Sequence, residues 1–236
     1  MTFWLVRDRI PSHFVTDYPD GVAQDTVPTG NVEASISLGA GMTELTLSPE
    51  AQDLLFREAR TANAFTDEPV TDEQVAAIYD LVKYAPTAMN TQPLRVLLVR
   101  DGEPRERLLK HMADGNRDKT ANAPVVAILA ADTDFHENLA RTFPHYPGAK
   151  NAFADDVARE QAARFNASLQ IGYFLLGVRA AGLAAGPMGG FDAEGLDREF
   201  FEGRNLKSLL VVNIGKPAEN AWFDRLPRLD HTDVFI

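Results

Sequence analysis

Apolar and polar positions change rhythm several times along the chain, and each change marks an element. Ser48-Pro49-Glu50 reads as an N-cap followed by proline at the first helical position, and Leu54, Leu55 and Glu58 carry that helix towards Arg60. Thr71-Asp72-Glu73-Gln74 sets a hydroxyl three residues before a glutamine, a capping-box pattern. Val75, Ile78, Leu81 and Val82 then recur on one helical face until Pro86 stops the run. Residues 95–100 predict a short strand closed by Asp101-Gly102, and a charged amphipathic helix follows around 104–113. Residues 124–131 are apolar without alternation, which predicts a strand covered on both faces. The longest helix is predicted over 160–181. Phe165, Leu169, Tyr173, Leu176 and Val178 make it apolar over most of its circumference, Gly172 and Gly177 permit close backbone approach, and Gly182 follows as the C′ residue. Asp192 caps a short helix reaching Phe201, and residues 209–214 form a third central strand. Helices outweigh strands and no regular βαβ alternation occurs. The expected class is α+β, with a mostly antiparallel sheet flanked by helices.

Residues 1–41 read differently. They hold two arginines, no lysine and three prolines, without sustained periodicity. Arg7, Asp8 and Arg9 interrupt the opening apolar run, so a secretory signal is not predicted. The stretch is expected to be a disordered arm, or to precede a true start at Met42, with residues 42–236 as the folded domain.

Composition narrows the chemistry. The 236 residues carry 23 Lys and Arg against 34 Asp and Glu, a formal net charge of −11. That balance argues against a nucleic-acid partner, which needs a broad basic face. No apolar run approaches the roughly 18 residues of a membrane span, so neither a membrane partner nor a location outside the cytoplasm is expected. Zero cysteines exclude disulfides, thiolate metal sites and a Cys nucleophile, so any redox chemistry must come from an organic cofactor. There is no G-x-x-x-x-G-K-[ST] phosphate loop and no G-x-S-x-G nucleophile elbow. Gly39-Ala40-Gly41 lacks a third glycine, and His136-Glu137 lacks a second histidine, with Ala140 in its place. Asp132, Asp134 and His136 alternate after a strand and read better as a solvated loop than as metal ligands. No metal and no catalytic side-chain triad are expected.

Three segments combine an exposed backbone with fixed polar groups. The first is 58–65, where Arg60 and Thr61 suit a phosphate or a ribityl chain. The second is 85–93, where two prolines fix a loop bearing Thr87, Asn90 and Gln92. The third is 182–192, where Gly189 and Gly190 precede a helix and let backbone N–H groups approach a flat ligand. Each alone is also an ordinary turn. With Arg225-Leu-Pro-Arg228 they form four ordered motifs, and over about 48–236 the chain resembles the nitroreductase family of FMN-dependent oxidoreductases. It is most similar to the malonic semialdehyde reductase subfamily of pyrimidine utilisation.

The resemblance implies positions for each role. Arg60 and Thr61 would contact the FMN phosphate and ribityl chain, with Arg225 as the C-terminal phosphate ligand and Arg228 as a second candidate. Asn63 falls where many relatives have Lys or Arg beside the pyrimidine edge. Pro86, Thr87, Ala88 and Asn90 would line FMN from the second subunit of a homodimer. Asn116 and Lys119 would face the flavin edge and the incoming nicotinamide. Pro187, Met188, Gly189 and Gly190 would lie over the dimethylbenzene and N5 region, with Gly189 in place of the Glu of many relatives. No side chain would be catalytic, because the flavin carries the hydride. The implied activity is ping-pong hydride transfer from NAD(P)H through FMN to a small aldehyde such as malonic semialdehyde. The alternatives are a broad nitro or quinone reductase, a flavin-binding protein without turnover, and a cofactor-free α+β binding module.

Overall fold

A single sheet of four antiparallel strands organises residues 45–236, the part of the chain that the computed structural model describes. The strands are β1 (Leu94–Val99), β2 (Val125–Asp132), β3 (Ala184–Met188) and β4 (Leu206–Gly215), in the spatial order β1-β2-β4-β3. The expected arm, 1–41, lies outside the described residues.

β2 is flanked on both sides, and residues 125–131 are buried throughout, as an unbroken apolar run requires. Its alternate side chains feed two layers. Val125, Ala127 and Leu129 pack with Val212 and Ile214 of β4 under helix α6 (Asp156–Ala180) and helix α2 (Asp72–Val82). Val126, Ile128 and Ala130 pack on the other face with Leu108 and Leu196, carried by α3 (Glu103–Leu109) and α7 (Ala193–Phe201). Gly177 of α6 lies against Val82 and Ile78, so a side chain there would hold α2 off.

Local capping follows the sequence. Thr71 Oγ1 accepts from Gln74 N–H and Gln74 Oε1 accepts from Thr71 N–H, closing the predicted capping box of α2. Asp192 caps α7 through Gly195 N–H, and Gly182 takes φ +73° after the longest helix.

Four elements differ from the expectation, which also lacks the short helices α5 (Leu139–Thr142) and α8 (His231–Val234). The first helix, α1 (Pro49–Gln52), widens into a π turn over Asp53–Arg57 and ends before Arg60. The α2 helix stops at Val82, short of Pro86, because a proline disfavours helical backbone at the residue before it. The helix expected over 104–113 ends earlier, as α3, and a second helix that was not expected, α4 (Asp114–Ala121), follows it. Residues 184–188, read as part of a turn, form β3. That strand lies at the sheet edge, where Pro187 can be tolerated because a missing N–H need not break a two-sided ladder.

Candidate cofactor site

The site is assembled on β3. Segment 58–65 leaves the π turn in extended form and lies between the edge strand and the C-terminal stretch. Ala62 N–H donates to Ala185 O at 3.0 Å, and Asn63 N–H donates to Ala221 O at 3.0 Å. Gly186 makes this crossing possible, since a Cβ there would overlap the Ala62 carbonyl oxygen.

Arg60, Thr61, Asn63, Arg225 and Arg228 line one cleft of about 200 Å³ together with Phe223 and Asp224. The Arg60 guanidinium stands 6.0 Å from the Trp222 ring centre and donates to Phe223 O at 3.4 Å. Arg225 donates to Ala59 O at 3.3 Å. Glu58 Oε2 lies 3.6 Å from Arg60 and 3.8 Å from Arg225, so one carboxylate holds the two arginines side by side. Arg228 donates to Leu226 O at 2.8 Å within its own turn. Behind them Arg179 donates to Leu54 O at 2.7 Å, and burial pushes its guanidinium below the ordinary arginine value.

α4 joins this cleft to the glycine pair. Lys119 Nζ lies 3.5 Å from Asn63 Oδ1, so the neutral amide at 63 has a cation beside it. Asn116 Nδ2 and Ala113 N–H both donate to Gly190 O, at 3.0 and 3.1 Å. A Cβ on Gly190 would meet Asn116 Nδ2 at 2.7 Å, whereas one on Gly189 would meet nothing within 4 Å. Gly189 therefore offers bare backbone to open space. Met188 is buried with its Sδ 3.6 Å from Thr120 Oγ1, and Pro187 is half-buried beside it.

The second motif sits elsewhere. Pro86, Thr87 and Asn90 line a cleft of about 410 Å³ with Tyr79, Lys83 and Tyr84, and it shares no lining residue with the arginine cleft. Ala88 N–H donates to Asn166 Oδ1 at 2.8 Å, and Asn90 Nδ2 donates to Thr142 O at 2.8 Å. Met89, Asn90 and Gln92 take φ of 49°, 51° and 45°, left-handed values that non-glycine residues adopt at a cost. Three such residues in four positions mark a loop whose shape is imposed by its surroundings. Within one chain the structure brings together the first, third and C-terminal motifs and leaves this one apart.

Several contributors carry weak sequence signals. Trp222, Phe223 and Asp224 border the recognised motifs without belonging to them, and Glu58 opens the first motif without being assigned a role. Asn166 stands out only as an amide in the middle of a largely apolar helix. The Asp132 and Asp134 carboxylates are taken by Arg95 at 2.5 Å and by Asn205 at 2.6 Å. Among the described residues no three His, Cys, Asp or Glu side chains are grouped to hold a metal.

The family model described as "Nitroreductase family" matches residues 56–216, a span holding Arg60, Thr61, Asn63, the 86–90 loop, Asn116, Lys119 and residues 187–190 but not Arg225 or Arg228. The chain belongs to the nitroreductase family. A Streptomyces griseus relative, provisionally named NADH dehydrogenase/NAD(P)H nitroreductase, is 64% identical over 191 residues, covering 80% of this chain and 97% of its own. Crystal structures of other nitroreductase-like proteins share the fold. One from Bacillus subtilis gives a TM-score of 0.70 at 24% identity, over 79% of this chain and 97% of its own. One from Exiguobacterium sibiricum, in complex with FMN, gives 0.67 at 19% identity, over 81% and 98%. The protein is thus a nitroreductase-family oxidoreductase with that family's α+β fold, and among the described residues no helix is long and apolar enough to cross a membrane.

Proposed function

We propose that this nitroreductase-family protein binds FMN and uses NAD(P)H to reduce a second small molecule in two successive half-reactions. One observation carries the reading: Arg60, Asn63 and Arg225 line one cleft, Lys119 reaches Asn63 from α4, and Asn116 of the same helix holds the peptide next to the bare Gly189 backbone. In a chain of net charge −11, paired guanidinia fit an anion of fixed geometry such as a phosphate. The open space over Gly189 fits a flat ring brought against backbone. Bound there, FMN would supply the chemistry, taking a hydride from NAD(P)H and passing it to the acceptor. The protein's part is to bind and orient. Arg60 and Arg225 hold the phosphate, Arg228 adds charge at the cleft mouth, and Thr61 offers a hydroxyl to the ribityl chain. Lys119 and Asn63 set a cation and an amide at the ring edge, and Asn116 fixes the Gly190 peptide. The names of the relatives support the pyridine nucleotide, and the FMN held by the Exiguobacterium neighbour supports the flavin. A cytoplasmic setting suits a consumer of NAD(P)H.

We propose further that a second copy completes the site by bringing Pro86, Thr87, Ala88 and Asn90 to the flavin. This is supported by the separation of the two clefts and by the strained backbone of that loop.

The test is optical. The purified protein should be yellow, bleach anaerobically with NAD(P)H and recolour on addition of an acceptor. A colourless protein that takes up no FMN overturns the reading, and a yellow one that resists bleaching is a flavin carrier. For the acceptor we propose a small aldehyde of the malonic semialdehyde kind, supported by the likeness of the four motifs to those of that reductase subfamily. Its kcat/KM should exceed that for a benzoquinone and for a nitroaromatic. A preference for the nitroaromatic, the acceptor class in the relatives' names, overturns the aldehyde assignment.

A further inference from the structure

Asn213 is an amide where β4 should be apolar. Its neighbours Val211, Val212 and Ile214 are all buried hydrophobics, and Asn213 itself is fully buried. Its Nδ2 donates to Lys119 O at 3.1 Å and lies 3.9 Å from Met188 Sδ, while its Oδ1 has no hydrogen-bond partner. A half-satisfied buried amide is a net cost to stability, and an apolar side chain of similar size would avoid it. Folding alone therefore gives no reason for an asparagine here.

Its surroundings do. Asn213 is the cross-strand partner of Gly186, and a Cβ added to Gly186 would sit 3.5 Å from Asn213 Cβ and overlap Ala62 O. The segments bearing Lys119 and Met188 thus meet at this side chain, and Gly186, its strand partner, is where the Ala62 segment crosses β3. From Asn213 the contacts run through the Lys119 backbone to Lys119 Nζ, which lies 3.5 Å from Asn63 Oδ1, and from Asn63 Nδ2 to Thr61 O at 3.2 Å. The cationic side chain in this chain of contacts is long and flexible. Its reach is set by where the last turn of α4 is pinned; Arg105 and Met188 meet that turn at Thr120, and the Asn213 amide is the contact made to the Lys119 peptide itself.

We propose that Asn213 is a positioning residue for the flavin site: by holding the Lys119 carbonyl it fixes the Lys119 ammonium at the ring edge. The inference rests on the FMN assignment above. It requires that removing the amide disturb the flavin without disturbing the fold.

The variants are Asn213→Leu and the smaller Asn213→Ser, each made also in a Lys119→Met background. Thermal unfolding of the FMN-free protein, FMN affinity by fluorescence quenching, the flavin absorption spectrum and its midpoint potential are measured for all. Asn213→Leu removes the unpaired Oδ1 but also the donor to Lys119 O, so the two effects should offset and the unfolding midpoint should change little. Both single variants should weaken FMN about five- to tenfold, the loss expected of one displaced hydrogen-bonding group, and shift the potential. In the Lys119→Met background neither should weaken FMN or shift the potential further, because two residues acting through one contact do not add. Unchanged affinity, spectrum and potential in both variants, with Lys119→Met still weakening FMN, overturns the positioning role and leaves the site standing. Full additivity with Lys119→Met overturns it as well. Wild-type protein that binds no FMN removes the site assignment and this inference together.

Discussion

The charges at 58–60 and 222–228 decide what the first cleft can hold. Glu58 balances only part of Arg60 and Arg225, and an added anion would complete the pair. Each charge-assisted contact to a phosphate contributes about 1.5–3 kcal/mol, or about ten- to hundred-fold in affinity. Arg225→Ala should therefore weaken FMN by that factor and leave riboflavin, which has no phosphate, within about threefold. Titrations of both ligands decide it, and equal weakening would make Arg225 a structural tie to Ala59. The two arginines are legible in the sequence because each sits in a short motif whose other members fix the backbone. The Lys119 ammonium beside Asn63 is not legible, since 56 residues separate the two and only the packing of α4 on the edge strand makes them neighbours. From sequence, Asn63 is expected to offer a neutral amide alone; in the structure that amide has the Lys119 ammonium beside it.

Two of the elements that escape a reading by periodicity serve the site. β3 reads Ala-Ala-Gly-Pro-Met, with neither alternation nor β-branched residues, and exists because its backbone pairs with β4 on one side and with Ala62 on the other. α4 has no apolar stripe, and Thr120 is its one buried residue. What holds α4 is Arg105, whose buried guanidinium donates to Thr120 O at 2.7 Å, Ala123 O at 2.9 Å and Val99 O at 3.0 Å. Burial pushes that group below the ordinary arginine value, yet the carbonyl acceptors at a helix C-terminus favour its cation. Arg105→Met would leave those carbonyls without a donor. It should cost about 3 kcal/mol, roughly 6–12 °C of thermal midpoint in a domain of this size, and calorimetry checks it. Gly186→Ala tests the other element. The added methyl must push Ala62 away, so a loss of about 1–3 kcal/mol and weaker FMN binding are expected, while Gly189→Ala, with open space before it, should leave the unfolding midpoint of the FMN-free protein unchanged. Equal midpoints for the two variants would show that segment 58–65 does not depend on its seat against β3. The predicted helices and strands with a clear apolar face were found, because burial of that face is what forms them. These two were missed because hydrogen bonds to distant backbone form them instead.

At the scale of the molecule, α6 has two apolar sides. Ala163, Ala167, Ile171, Phe174 and Val178 are buried, while Phe165, Leu169 and Tyr173 recur every four residues on another face and stay exposed, Phe165 by 67%. The C-terminal stretch adds Phe223, Leu226, Leu229 and Phe235, each more than two-thirds exposed. Exposed apolar side chains in such number suit an interface, and a two-fold arrangement would bury the same residues on both copies. The cleft that holds the arginines and the cleft of the Pro86 loop share no residue in one chain, so the proposed second copy makes a quantitative demand: assembly and flavin affinity must be linked. Leu169→Asp puts an unpaired carboxylate into the α6 face at a position whose side chain is exposed in the single chain, so folding should tolerate it. Analytical ultracentrifugation should show a dimer for the wild type and a monomer for the variant, with circular dichroism unchanged. By linkage, FMN should bind the monomer at least tenfold more weakly and should drive the variant back towards dimer at high concentration. A monomeric variant that keeps wild-type FMN affinity would show instead that Arg60, Arg225, Lys119 and Gly189 suffice within one chain, and would leave the strained Pro86 loop without a part in flavin binding.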